Sequence, residues 1–191
     1  KSGEYTLAPA IVGETVYAAS RKGEVIRIDQ GQVTWRINAE NILSGGVGAG
    51  KKTVVVGTPK GDVLAFDSAD GKALWTAKAT SEVLSPPAVG NGLVIVRSGD
   101  NRLLAYDEMN GQRKWVFQRP TPALSLRSSA QPLISDNYVF AGFPAGKLIA
   151  VNLANGVSVW DGTVALPKGS TELERVADVT SAPLIYGNTI C

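Results

Sequence analysis

Apolar residues in this chain cluster in short β-branched runs and do not recur at helical spacing. Thr53–Gly57 and 93–96 are rich in Val and Ile and are bounded by Gly, Ser, Asp and Lys, which is the composition of short strands. No segment sustains a 3.6-residue apolar period, so helix should be scarce. In the run 62–67, Leu64 and Phe66 fall on one face and Val63 and Ala65 on the other, because successive strand side chains alternate. A strand that is apolar on both faces is expected to lie between two sheets.

The pattern repeats. Tryptophan occurs at 35, 75, 115 and 160, at intervals of 40, 40 and 45 residues. Each closes a related phrase: "GEVIRIDQGQVTW" (23–35), "GDVLAFDSADGKALW" (61–75), "DNRLLAYDEMNGQRKW" (100–115) and "GKLIAVNLANGVSVW" (146–160). The first is two residues shorter in its turn. Ahead of each lies a Pro- or Gly-marked segment and a β-branched run, and a fifth copy opens at "TSAPLIYGNTIC". Asp70-Gly71, Asn110-Gly111 and Asn155-Gly156 are hairpin signals, because such turns need positive φ. Each unit therefore reads as four short strands. Four-stranded units of about 40 residues that stack radially make a β-propeller. A β-sandwich is the runner-up, but it has no reason to repeat at that interval. The expected fold is all-β, with antiparallel blades at 5–38, 43–79, 83–119 and 128–165 and the start of another at 179–191.

One stretch competes with this reading. "SGGVGAGKKT" (44–53) comes within one residue of a phosphate-binding loop, with Lys52 where the metal-binding hydroxyl should stand. Such a loop must follow a strand and open a helix. Here the strand-like run Thr53–Gly57 follows directly. Aligned with the next repeat, Gly45 and Gly46 take the places of Pro86 and Pro87 and 48–52 becomes a turn. The glycines are expected to serve the repeat.

Composition narrows the chemistry. The 191 residues are 44% apolar and 19% charged, a globular balance, and the formal net charge is +2. The cations Arg27, Lys60, Arg97 and Lys147 are scattered, whereas a phosphate groove needs them clustered. No apolar run is long enough for a membrane-spanning helix. No signal peptide is visible, so the chain is expected to be cytosolic or to have lost its N-terminus. Histidine is absent and Cys191 is the single cysteine, which excludes His/Cys zinc sites, histidine triads and internal disulfides. Cys191 reads first as a small buried residue of an interrupted strand and only second as a reactive thiol.

Topology suggests a site. In a four-stranded meander, every connection from one unit to the next falls on one face. The first two, about 39–42 and 79–83, are short, and the next two, about 119–129 and 166–179, are long. Two long loops on neighbouring units of one face make a candidate docking surface. The first carries Leu124, Ser125, Leu126 and Arg127, and apolar residues beside arginine resemble an interface hot spot. On the residues alone, leucines tucked beneath the loop are an equal reading.

The phrase G-x-h-x-A-h-D-x-x-x-G-x-x-x-W resembles the repeat of the pyrroloquinoline-quinone propeller superfamily. Arg27 and Asn152 depart from it at the small-residue and Asp positions of their units, and both read as tolerated drift. Within that superfamily, "PALSLRSSAQP" (122–132) and "GSTELERVADVTSAP" (169–183) resemble loops of the BamB family of outer-membrane assembly lipoproteins.

That resemblance implies a propeller of about eight blades, lipid-anchored at an N-terminal cysteine on the periplasmic side of the Gram-negative outer membrane. The chain then reads as a fragment with about four of those blades, expected to self-associate, with two copies completing a ring, or to have been cut from a longer chain. The resemblance also implies a non-enzymatic scaffold of the barrel-assembly machinery, without cofactor or metal. It would dock through Leu124, Ser125, Leu126, Arg127, Arg175 and Asp178 to the POTRA domains of BamA and assist unfolded outer-membrane protein clients. Thr180 replaces a family acid, and Arg175 is open to a second reading as an intraloop partner of Glu172 or Glu174. A quinoprotein dehydrogenase is the enzyme alternative, but there is no Cys-Cys pair. Asp29, Asp67 and Asp107 recur beside turns, where hairpin support explains them, and no pair of acids is singled out for glycoside hydrolysis. A periplasmic adaptor for another partner, such as peptidoglycan or a lipoprotein, is the third reading.

Overall fold

The structure, a computed structural model, describes residues 7–120, 130–164, 179, 181–186 and 189–190. These form four four-stranded antiparallel sheets and one two-stranded hairpin, each a simple meander in chain order. The first sheet is β1 (Ala10–Val12), β2 (Thr15–Ala19), β3 (Glu24–Asp29) and β4 (Gln32–Asn38). The second is β5 (Gly45–Ala49), β6 (Thr53–Gly57), β7 (Asp62–Asp67) and β8 (Ala73–Lys78). The third is β9 (Ala88–Gly90), β10 (Leu93–Arg97), β11 (Leu103–Asp107) and β12 (Arg113–Phe117). The fourth is β13 (Leu133–Ser135), β14 (Tyr138–Phe143), β15 (Lys147–Asn152) and β16 (Ser158–Thr163). The hairpin is β17 (Ile185–Tyr186) with β18 (Thr189–Ile190). This is the blade architecture of a β-propeller.

The two-faced strands hold the sheets together. Leu64, Phe66, Val54 and Val56 pack with Tyr17 and Val25 of the first sheet. Val63, Ala65 and Val55 face the other way, against Val94, Val96, Leu104 and Tyr106 of the third. Ile95, Leu103 and Ala105 in turn meet Val139, Ile149 and Val151 of the fourth. Fully burying a Val, Leu, Ile or Phe side chain is worth about 1.5–3 kcal/mol, so the seams between sheets carry much of the stabilising apolar burial.

The repeat phrase has a geometric cause. In all four sheets the pairing of the third and fourth strands slips at one place, after Arg27, Ala65, Ala105 and Ala150. At that β-bulge the tryptophan stands directly opposite the residue before the slip: Trp35 faces Arg27, Trp75 faces Ala65, Trp115 faces Ala105 and Trp160 faces Ala150. Alanine leaves room for the cross-strand indole. The first three indoles then reach the next sheet. Trp35 Nε1 donates to Ser68 O at 3.0 Å, Trp75 to Glu108 O at 2.8 Å and Trp115 to Leu153 O at 2.8 Å.

One reading from sequence needs correction and another gains its reason. Arg27 is not drift, because its Nη1 donates to Ser68 O at 2.8 Å, the same carbonyl that Trp35 uses. Its Nε also binds Asp29 at 2.7 Å. Asn152 is tolerated because its Oδ1 accepts the amide of Ala154 at 2.9 Å, as Asp67 accepts Ala69 and Asp107 accepts Met109. An amide oxygen does this as well as a carboxylate. The Asp-Gly and Asn-Gly pairs also sit in longer turns than two-residue hairpins. Gly71, Gly111 and Gly156 each donate to the residue four before them, and within the pairs only the glycine has positive φ.

The glycine-rich stretch is strand and turn, with β5 leading into β6. A Cβ at Gly45 would lie 2.7 Å from Ser85 O and 2.8 Å from Val83 O. Glycine is needed there because neighbouring sheets approach backbone to backbone. Cys191 lies outside the described residues.

Candidate functional site

The connections between sheets share one face with the turns inside each sheet that join its second and third strands. The first connection is pinned down tightly. Ala39 N donates to Gly23 O at 2.8 Å and Leu43 N to Arg21 O at 3.0 Å. The second repeats the device, with Ala79 N on Gly61 O at 2.8 Å and Val83 N on Thr58 O at 3.1 Å. Leu43 and Val83 are fully buried. These two connections are clamped to the sheets, with Ile42 the exposed apolar residue of the first.

The third and fourth connections run over 118–132 and 164–184. Leu124, Ser125, Leu126 and Arg127 fall in the third, and Arg175 and Asp178 in the fourth. All six lie outside the described residues, as do Glu172, Glu174 and Thr180. The structure describes the stems on which both connections stand.

An ion pair ties the departing stems. Arg119, just past β12, donates from Nη1 to Asp161 Oδ2 of β16 at 2.8 Å, and Lys147 Nζ of β15 stands 3.4 Å from Asp161 Oδ1. Partial burial pushes the Asp161 carboxyl up, but hydrogen bonding and charge from Arg119 and Lys147 outweigh it and hold the group below the usual carboxylate range. Val164 N donates to Gly146 O at 2.8 Å, so the fourth connection leaves its sheet as the first two do. The third returns through buried Ala130 and through Gln131, whose Nε2 donates to Pro87 O at 3.0 Å.

Beneath the stems is a buried cation. Arg97, the last residue of β10, is 2% exposed. Its guanidinium donates to Gly142 O of β14 and to Asn101 Oδ1, the latter at 3.2 Å. It lies over the Phe143 ring, 5.1 Å from its centroid, a cation–π arrangement that gains strength when shielded from water. Phe143 meets Phe117 edge to face at 5.7 Å, and Phe117 is the end of β12 from which the third connection departs. Val179 packs on Gly142, where a methyl group would collide with it.

Sequence reading missed this floor by treating Arg97 as one of several scattered cations. A signal was present. Arg97 pairs with Leu103 in the register where Gly57 pairs with Val63, Gly142 with Leu148 and Ala19 with Val25. A cation stands where three sheets have a residue with little or no side chain.

The family model for the outer membrane protein assembly factor BamB matches residues 21–191. The BamB of Bordetella pertussis is 48% identical over 186 residues, covering 96% of this chain and 48% of the relative. The crystal structure of BamB from Moraxella catarrhalis superimposes with a TM-score of 0.89 at 29% identity, covering 98% of this chain and 57% of that one. A quinohemoprotein alcohol dehydrogenase from Pseudomonas putida matches with a TM-score of 0.64 at 18% identity, over 81% of this chain and 33% of that one, a likeness of fold alone. The chain spans about half the length of the curated relatives it matches. It belongs to the BamB family of outer-membrane protein assembly factors.

Proposed function

We propose that this member of the BamB family is part of a non-enzymatic scaffold of the outer-membrane barrel-assembly machinery, docking to the POTRA domains of BamA through its third and fourth connections. The observation that carries the reading is the pairing of those stems. Arg119 leads into one connection and is bound to Asp161, which lies in the strand leading into the other. Two loops held at their bases present a surface with less ordering left for binding to impose, and such preorganisation favours affinity. Leu124 and Leu126 supply the apolar anchors of this surface, with Ser125 beside them, and Arg127, Arg175 and Asp178 its charges. Mixed charge orients a partner more than it adds raw affinity.

Placement at the periplasmic side of the outer membrane through a lipid anchor, and assistance to unfolded outer-membrane protein clients, follow from the same reading. The dehydrogenase likeness at 18% identity favours no redox activity. A quinone titration followed by absorbance tests that point directly, and a saturable spectral shift would overturn the non-enzymatic reading.

The deciding experiment is calorimetry of the protein with purified POTRA domains, with the Leu124→Ala/Arg127→Ala double variant alongside. Truncating a buried hot spot costs about 2 kcal/mol or more. Binding by the wild type, lost in a variant that melts normally, supports the reading. Equal binding by both moves the site elsewhere, and no binding by the wild type overturns the docking.

A further inference from the structure

The seam around Arg97 differs from its neighbours in a way that bears on how the two connections act together. In the second sheet the β6 residue at this register is Gly57, and a Cβ there would run into Val83 of the following connection. In the fourth sheet the equivalent β14 residue is Gly142, and the obstacle is Val179 of its connection. A valine from each connection plugs a seat left by a missing side chain.

The third sheet reverses the sizes. Its β10 residue is Arg97, the largest of the three, and the side chain is buried. Val83 stands five residues before Ala88, the first residue of β9, and the same count back from Leu133 of β13 reaches Ser128. Glycine with valine occurs twice, and arginine with serine once. Where the neighbouring strands carry glycine at this register, the third sheet's strand carries a large side chain of its own. Arg97 also reaches sideways. It holds the carbonyl of Gly142, the residue on which Val179 sits, and it covers Phe143, which buttresses Phe117.

We infer that Arg97 is a positioning residue that joins the stems of the third and fourth connections, so that the two loops present one coupled surface to their partner. The inference rests on the docking reading above. In this scheme Arg97 acts through Gly142 and Phe143. A guanidinium suits the task because it donates in several directions from one plane while its face stacks on an aromatic ring. Glycine at the same position, as in the neighbouring sheets, could do neither.

The test is a set of double-mutant cycles read by calorimetry against the POTRA domains. Leu126→Ala perturbs one loop and Asp178→Ala the other. Coupled loops give non-additive losses. In an Arg97→Ala background the two losses become additive, and the background itself binds at least tenfold more weakly with its melting curve intact. Gly142→Ala removes the coupling from the other side by displacing Val179. Arg97→Lys, which keeps a donor for the Gly142 carbonyl, recovers most of the affinity.

Should Arg97→Ala not fold, the lysine and Gly142→Ala variants carry the test. Unchanged non-additivity in Gly142→Ala then overturns the inference. So does Arg97→Ala binding within threefold of wild type. Should the wild type not bind at all, the docking reading falls and hydrogen exchange decides the inference alone. Arg97→Lys or Arg97→Ala speeds exchange in both 118–130 and 164–179 when the stems are joined. Faster exchange in only one of them, or in neither, overturns it.

Discussion

The indole nitrogen of Trp115 donates a 2.8 Å hydrogen bond to the backbone oxygen of Leu153, in the turn of the following sheet. Its ring also lies against Gly156 of that turn, close enough that a Cβ on the glycine would stand 2.5 Å from Cε3. Trp75 and Gly111 repeat the arrangement, as do Trp35 and Gly71. The tryptophan and the turn glycine of the repeat are therefore two halves of one contact, and they belong to different sheets.

Trp115→Phe keeps an aromatic ring but removes the donor, leaving a buried carbonyl unsatisfied. The expected loss is about 1–3 kcal/mol. Urea unfolding of the two proteins measures it, and an unchanged midpoint would show that water replaces the indole.

Gly156→Ala meets two obstacles at once, a φ of +71° and the Trp115 ring. Gly31 has a φ of +79° and nothing within 4 Å of a built Cβ. Gly31→Ala should cost only the left-handed backbone strain of about 1–2 kcal/mol. Gly156→Ala should cost clearly more. Equal losses would mean that the ring yields freely and the interlock adds nothing.

The Asp29 carboxyl is held well below the usual carboxylate range by hydrogen bonds from Arg27 first, then from Thr15 and Thr34. Its folded-state pKa lies below its unfolded value, so its contribution to stability is complete above about pH 4 and is lost as the pH falls below that. Unfolding midpoints measured from pH 7 to pH 3 should drop, and the acid part of the curve should be flatter in Asp29→Asn. Parallel curves would remove Asp29 from the account.

Arg119→Ala should barely move the melting temperature, because half-exposed ion pairs are worth about 0–1 kcal/mol. It should nevertheless weaken POTRA binding severalfold by loosening the stem. Asp161→Asn should do the same, and the double variant should lose little more than either single one. Additive losses would mean that the two residues act separately.

Trp160, the last of the four, has no such seat among the described residues and is 45% exposed. Tyr138, which lines the same cleft, is exposed with it. Residues 1–191 alone should therefore self-associate in light scattering, and Trp160→Ser should reduce that association. A monodisperse monomer with a cooperative melt would contradict this.

Much of the fold was legible in the chain. Alternation at Val63, Leu64, Ala65 and Phe66 told that one strand served two seams, because strand periodicity is local and survives in any context. The Trp–Gly spacing marked the repeat for the same reason. The role of Arg27 was not legible, since its partner carbonyl belongs to Ser68, in another sheet. Arg97 was hidden similarly. It read as one of several scattered cations, and only the approach of β14 supplied the carbonyl and ring that make a buried guanidinium tolerable.

By itself the sequence determined strand positions, turn chemistry, the repeat interval and which connections are long, because these depend on backbone preference and spacing along the chain. The tertiary structure alone decided which residues of different sheets meet: Trp115 with Leu153, Arg119 with Asp161, Arg97 with Gly142. Those contacts join residues far apart in sequence, and their geometry arises only when twisted sheets stack and close their seams.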